Sequence, residues 1–292
     1  MENVIVTGAT GYIGRNFIKK LLEKGCEVYA FVHRADSIRD KADTVREIVC
    51  PMDKYEEAGR QLAGRNIDTF YHFAWQGTSG RGRADYKVQL KNVQYACDAA
   101  VLAKEIGCRR FIATGTITEN VAKQILEKHY SAQNLIYGLA KLYAHNMLDI
   151  VCRSIGLEYV WAQLSNIYGG DNTTGNLISY TLNEWKNDRI PSFGPCEQPY
   201  NFTHVGDVVE ALYLIGTAKH VNSEYVISNG DVRKLKDFLE ELSAVFGKAV
   251  GIGERQDDGI VYEKSWFDNK KLQSLNFSCK YSFCKGINNI YE

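Results

Sequence analysis

From its first residues the chain alternates short apolar runs with longer amphipathic ones: "NVIVTG", a helical period from about Tyr12 to Glu23, then "EVYAFV", "REIVC" and "DTFYHFAW". This alternation leaves few folding options. Parallel strands can be joined only by crossovers, and the crossover helices then cover the faces of the sheet. The pattern predicts an α/β fold built on a parallel sheet with crossover helices. It continues through a long helix near Asp85 to Ile106, the strand "RRFIATG", a helix around Tyr137 to Ser154 and the strand "LEYVWAQL". Three of the four prolines, Pro191, Pro195 and Pro199, fall in one stretch, so the segment from about Tyr168 to Asn201 reads as an insertion, with Gly169, Gly170, Gly175 and Gly194 at its turns. After it, "HVGDVVEALYLIGTA" reads as a helix and "SEYVIS" as a further sheet strand. The tail from Lys234 carries a helix, a strand "GIVYE" and another short helix. The expected division is a nucleotide-binding domain over residues 1–167, to which 203–229 return, and a smaller lobe made of 168–202 and 230–292.

Thirty-five basic residues balance 35 acidic ones without clustering, which leaves no electrostatic footprint for nucleic acid or an anionic membrane. No apolar run approaches the roughly 20 residues that span a bilayer, and "MENVIVTGATGYIG" has no signal-peptide pattern, so a cytoplasmic protein is expected. The eight cysteines are spread through a chain long enough to build a core without staples, and are read as reduced. Cys279 and Cys284 have neither a second pair nor a histidine cluster nearby, so no metal site is expected.

The motif Gly8-x-x-Gly11-x-x-Gly14 sits between a strand and a helix, the context that gives a glycine pattern meaning. Gly8 allows the tight turn, Gly11 lets the backbone approach a pyrophosphate and Gly14 lets the helix close on the strand. Thr10, Tyr12 and Ile13 fill the same loop and are candidate cofactor contacts. A dinucleotide site usually declares its cofactor after the second strand, where a carboxylate meets the ribose hydroxyls or a basic group meets a ribose phosphate. Here Val32 takes the acidic position and His33 and Arg34 follow, which favours NADP(H), with NAD(H) the alternative if Asp36 swings in. Asp53, after the third strand, is a candidate for the adenine amino group.

Tyr137 and Lys141 are four apart, which puts both on one helix face, where the ammonium can favour ionisation of the phenol and make Tyr137 a proton donor to a carbonyl. With 18 tyrosines and 21 lysines, about one such pair arises by chance, and Tyr281 with Lys285 is a second. Position separates them: Tyr137 opens a long helix after a strand, whereas Tyr281 lies in the tail. Thr116, ending the strand "RRFIATGT", is the choice for a hydrogen bond to the reacting oxygen, with Thr114 and Thr118 as competitors.

Taken in order, "TGATGYIG", "FYHFAWQG", "KNVQ", "RRFIATGT", "YGLAK", "LSNIYGG" and "NFTHVGDVVEA" resemble the extended short-chain dehydrogenase/reductases, and within them the nucleotide-sugar epimerases, dehydratases and reductases. The resemblance runs from Asn3 to about Ala211. It implies a Rossmann-like, doubly wound parallel sheet binding NAD(P), a small carboxyl-terminal lobe holding a nucleoside-diphosphate sugar, and a homodimer formed by two helices from each subunit. It also implies that Tyr137 is the acid/base, Lys141 its partner and Thr116 the third member. Phe73 and Ala74 then lie beside the cofactor, Asn92 on the long helix near the site, and Asn166 in the phosphate region of the substrate.

Departures from the family pattern narrow the reaction. Dehydratases follow the catalytic Thr with Asp and Glu, whereas Ile117 and Thr118 stand here. Epimerases usually hold NAD through an acidic residue after the second strand. Tyr200 stands where many members place a phosphate-binding Arg, leaving Arg189, Arg233 and Arg255 as substitutes. In "WQGTSGRGR", Gln76 and Thr78 are expected to line the sugar pocket and Arg81 or Arg83 its rim. The leading expectation is NADPH-dependent reduction of a 4-keto-deoxysugar nucleotide. A 4-epimerase is the alternative and a non-catalytic NAD(P)-sensing protein the third reading.

Overall fold

The computed structural model describes residues 1–38, 42–62, 64–128, 135–170, 172, 175–257 and 259–288. They form two compact units, one of residues 1–163 and 209–225 and the other of 164–208 and 226–292.

The first unit opens with β1 (Asn3–Thr7), α1 (Tyr12–Glu23), β2 (Glu27–Val32), β3 (Val45–Val49), α2 (Tyr55–Leu62) and β4 (Thr69–His72). It continues with α3 (Tyr86–Glu105), β5 (Arg110–Thr116), α4 (Thr118–Lys128), α5 (Leu135–Ile155) and β6 (Glu158–Leu164). Next in the chain come β7 (Asn166–Tyr168), α6 (Leu177–Lys186), β8 (Pro199–Tyr200) and β9 (Phe202–His204). The last elements are α7 (Val205–Thr217), β10 (Glu224–Ile227), β11 (Arg233–Lys234), α8 (Leu235–Phe246), α9 (Lys270–Gln273) and α10 (Phe283–Asn288).

Seven strands form the central sheet in the order β10-β6-β5-β4-β1-β2-β3. The pairs β1–β2, β1–β4, β2–β3 and β4–β5 are parallel. From β1 the chain builds outward through β2 and β3, then returns to the other side of β1 to lay down β4. The strand order therefore reverses between β1 and β4, and a crevice opens at the carboxyl ends of those two strands. Ile5, Phe31, Phe70 and Phe111 are buried in the core. On α3 the buried Ala96, Ala99, Ala100 and Ala103 recur at helical spacing, and their small side chains let that helix sit close against the rest of the core.

In the second unit β7 pairs with β9 in parallel and β8 with β11 antiparallel, Tyr200 standing opposite Arg233. Its core gathers Tyr168, Trp185, Phe202, Phe238, Leu242 and Phe283. The stretch "GIVYE" forms no strand among its described residues. Alternation of apolar and polar residues is not sufficient for a strand, which also needs a partner in register. Inside the insertion lies α6, which the glycines and prolines around it obscured. Asn176 caps it by accepting from the Ser179 amide at 2.8 Å.

Candidate active site

The glycine loop occupies the reversal point of the sheet. Gly8 has φ +65°, and a Cβ there would lie 2.8 Å from the Ala74 nitrogen and from the Phe73 carbonyl carbon, so the turn closes against the end of β4 only without a side chain. A Cβ on Gly14 would run into the Gly8 carbonyl oxygen. The Gly11 amide donates to the Gly8 carbonyl at 2.9 Å, and α1 begins after Gly11 with no side chain capping it. A helix amino terminus that follows such a glycine turn is the arrangement that receives a pyrophosphate. Thr7 Oγ1 accepts from the Phe73 and Ala74 amides, both at 3.2 Å, and lies 3.0 Å from His72 Nδ1, which fastens the ends of β1 and β4 together. Burial holds His72 neutral, its pKa lowered to about 3. Within this loop Thr10 is exposed, Tyr12 buried and Ile13 half-buried. The residues present therefore fit a dinucleotide.

His33 and Arg34 are exposed directly after β2. The turn behind them is pinned by Glu47 of β3, whose carboxylate accepts from the Asp36 and Ile38 amides at 2.7 Å each. Asp53 is exposed in the 3-10 turn Met52–Lys54.

Tyr137 and Lys141 share the buried face of α5. Lys141 Nζ donates to the Thr114 carbonyl of β5 at 2.8 Å and lies 3.7 Å over the Trp75 ring. Burial draws the Lys141 pKa down to about 7 against the opposing pull of Glu119. Burial pushes the Tyr137 phenol up to about 12; the Arg83 charge favours its ionisation and the Glu119 charge disfavours it. Thr116 Oγ1 lies 3.1 Å from Thr118 Oγ1. The Thr116 amide donates at 2.7 Å to Glu119 Oε1, and Glu119 Oε2 accepts from Trp161 Nε1 at 3.1 Å. His145, stacked on Trp161, places Nδ1 3.6 Å from the same carboxylate.

Glu119, fully buried, went unrecognised in the sequence although its spacing from Thr116 is that of a capping box. Trp75 and Gln89 were also missed. Trp75 Nε1 donates to Gln89 Oε1 at 2.8 Å, and its ring meets Tyr137 edge-on at 6.4 Å. Gln76 and Thr78 are exposed, the Gln76 backbone being held at both its amide and its carbonyl by Asn92.

Asn166 and Tyr200 belong to the second unit. Asn166 Nδ2 donates to the Asn201 carbonyl at 3.0 Å. Of the three arginines considered for phosphate, Arg189 is bidentate to Glu184 and Arg233 bonds Asp231 and Glu241. Arg255 instead donates to the neutral hydroxyls of Ser192 and Tyr180. Tyr281 is stacked on His204 with centroids 3.9 Å apart, a packing role.

The sequence model of the NAD dependent epimerase/dehydratase family matches residues 4–228. The chain is 23% identical over 278 residues to the dTDP-4-dehydro-6-deoxyglucose reductase of Escherichia coli, covering 86% of this chain and 84% of that protein. It is 25% identical over 311 residues to the CDP-abequose synthase of Salmonella typhimurium, covering 100% and 98%. Among solved structures it resembles the UDP-glucuronic acid 4-epimerase of Bacillus cereus in complex with UDP-glucuronic acid and NAD. The TM-score is 0.79 at 17% identity, covering 99% of this chain and 98% of that one.

Proposed function

This chain belongs to the NAD dependent epimerase/dehydratase family, the extended short-chain dehydrogenase/reductases of nucleotide sugars, and from that premise we propose that it reduces a 4-keto-deoxysugar carried on a nucleoside diphosphate. The observation that carries the reading is the pair Tyr137 and Lys141 on the buried face of α5, with no carboxylate at the two positions that follow Thr116. Ile117 and Thr118 cannot eliminate water, and both oxygens of Glu119 are engaged by Thr116 and Trp161. A relative of matching length is named as a 4-dehydro-6-deoxyglucose reductase, which supports the same direction of reaction.

NADPH, when bound, supplies the hydride to the carbonyl carbon. The backbone of Gly8, Gly11 and Gly14 receives the pyrophosphate, and exposed Arg34, with His33, meets the ribose phosphate that distinguishes NADPH from NADH. Tyr137 donates its proton to the carbonyl oxygen, and Thr116 Oγ1 holds that oxygen in line. Lys141, fixed by the Thr114 carbonyl, favours the phenolate that results. Gln76 and Thr78 contact the sugar, and Asn166 and Tyr200 the nucleoside diphosphate.

The likeness to a 4-epimerase holding NAD supports a second reading, in which the same tyrosine serves first as base and then as acid and no cofactor is consumed. Following NADPH absorbance with a panel of 4-keto-6-deoxy nucleotide sugars, with NADH in parallel, separates the two. Stoichiometric NADPH loss on one member is expected; no loss on any member, with inversion of an intact nucleotide sugar, would establish the epimerase. No described helix is long and apolar enough to cross a membrane, and we place the reaction in the cytosol, carried out by a homodimer.

A further inference from the structure

The loop between β4 and α3 is built, not slack. Gly77 and Gly82 touch: a Cβ on Gly77 would lie 2.6 Å from the Gly82 carbonyl oxygen, and one on Gly82 2.8 Å from the Gly77 Cα. The buried Gln89 amide donates to the carbonyls of Gln76, Gly77 and Gly82 at 3.3, 3.0 and 2.9 Å, clamping the loop to α3. Arg83 follows the last of these anchors. Its guanidinium donates to the Thr78 carbonyl at 3.0 Å and to Thr118 Oγ1 at 3.4 Å, and its central carbon lies 4.1 Å from the centroid of the Tyr137 ring. Arg83 makes no ion pair among the described residues.

We propose that Arg83 is a positioning residue of the proton-transfer step, laid by the clamped loop on the face of Tyr137 to hold the negative charge that appears when the phenol gives up its proton. The inference rests on the reading of Tyr137 as the acid. A cation over a neutral phenol is attracted by the ring quadrupole alone; over a phenolate it meets a full charge. Arg83 therefore stabilises the state after proton transfer more than the state before it, the condition for speeding the step. A guanidinium suits this because it keeps its charge at every working pH. Among the described residues the other charge acting on Tyr137 is that of Glu119 from α4, with Lys141 one turn further along α5 itself. The Glu119 carboxylate opposes ionisation, as burial does.

The test compares Arg83→Met, Arg83→Lys and Tyr137→Phe, using NADPH and dTDP-4-keto-6-deoxyglucose. Arg83→Met is expected to lower kcat by about threefold to tenfold with little change in KM. Reduction needs the protonated phenol, so activity falls as pH rises through its pKa, and without Arg83 that fall moves up by about one pH unit. Arg83→Lys should restore part of both effects. A raised KM with unchanged kcat and pH profile would overturn the proposal, making Arg83 a substrate contact. Tyr137→Phe separates the two levels: if it turns over normally, the acid/base reading itself is wrong. If it is inactive while Arg83→Met matches the wild type, only the present inference fails. The Tyr137 ring carbon, followed by carbon-13 NMR in labelled full-length protein, reports the ionisation without turnover. A smaller phenolate fraction at pH 11 in Arg83→Met is expected, and an equal one would contradict the proposal.

Discussion

Tyr137 is held in surroundings that resist loss of its proton, through burial and the Glu119 carboxylate, while the Arg83 guanidinium pulls the other way. A phenol kept protonated is a donor at neutral pH, so Tyr137→Phe should lower turnover by about 10²- to 10⁴-fold while NADPH fluorescence titration shows unchanged binding. Unchanged turnover would remove it from the chemistry. Lys141 offers a test in stability. Burial lowers its pKa from 10.5 to about 7 in the folded chain, so between those values the unfolded chain binds more protons and rising pH favours the folded state. The wild type minus Lys141→Met difference in urea midpoint should therefore rise between pH 7 and 9.5; a flat difference would show that the lysine titrates normally. Spacing on one helix made this pair legible in the sequence. No periodicity could announce the contact of Arg83 with Tyr137, because it depends on how a glycine-closed loop folds back. Glu119 was legible in principle, three residues after Thr116, but a capping glutamate is normally exposed and this one is buried.

At the scale of elements, the glycine loop and the clamp on α3 make separable predictions. Gly8→Ala forces a Cβ between β1 and β4 at positive φ, and should weaken NADPH binding by more than about tenfold and cost about 1–3 kcal/mol in chemical unfolding. Gln89→Leu removes the bonds of Gln89 to three loop carbonyls and to the Trp75 indole; turnover should fall while NADPH affinity holds, and equal loss of both would mean the clamp supports the cofactor loop as well. The strands of the sheet and the helices α1, α3 and α5 followed from their periods, because each is long or continuously apolar and packs into one core. The short helices α2 and α6 did not. Eight and ten residues hold little more than two turns, and for α6 the turn residues on either side outweighed the spacing of Ile178, Thr181 and Trp185.

At the scale of the molecule, two helices of the first unit leave large apolar side chains in water. Tyr86 and Leu90 on α3 are 58% and 61% exposed, and Tyr143 and Ile150 on α5 are 58% and 68% exposed. A helix face of this kind fits a second copy of the chain, and Leu90→Glu combined with Ile150→Glu should convert a dimer to monomer in light scattering with the fold intact. A wild type that is already monomeric would dismiss the assignment. The chemistry has a more direct test. NADPH carrying deuterium at the transferable position, incubated with the protein and a 4-keto-6-deoxy nucleotide sugar, should yield a product one mass unit heavier, labelled at C4, with an equal amount of NADP formed. An epimerised sugar without deuterium and without loss of NADPH would contradict net reduction.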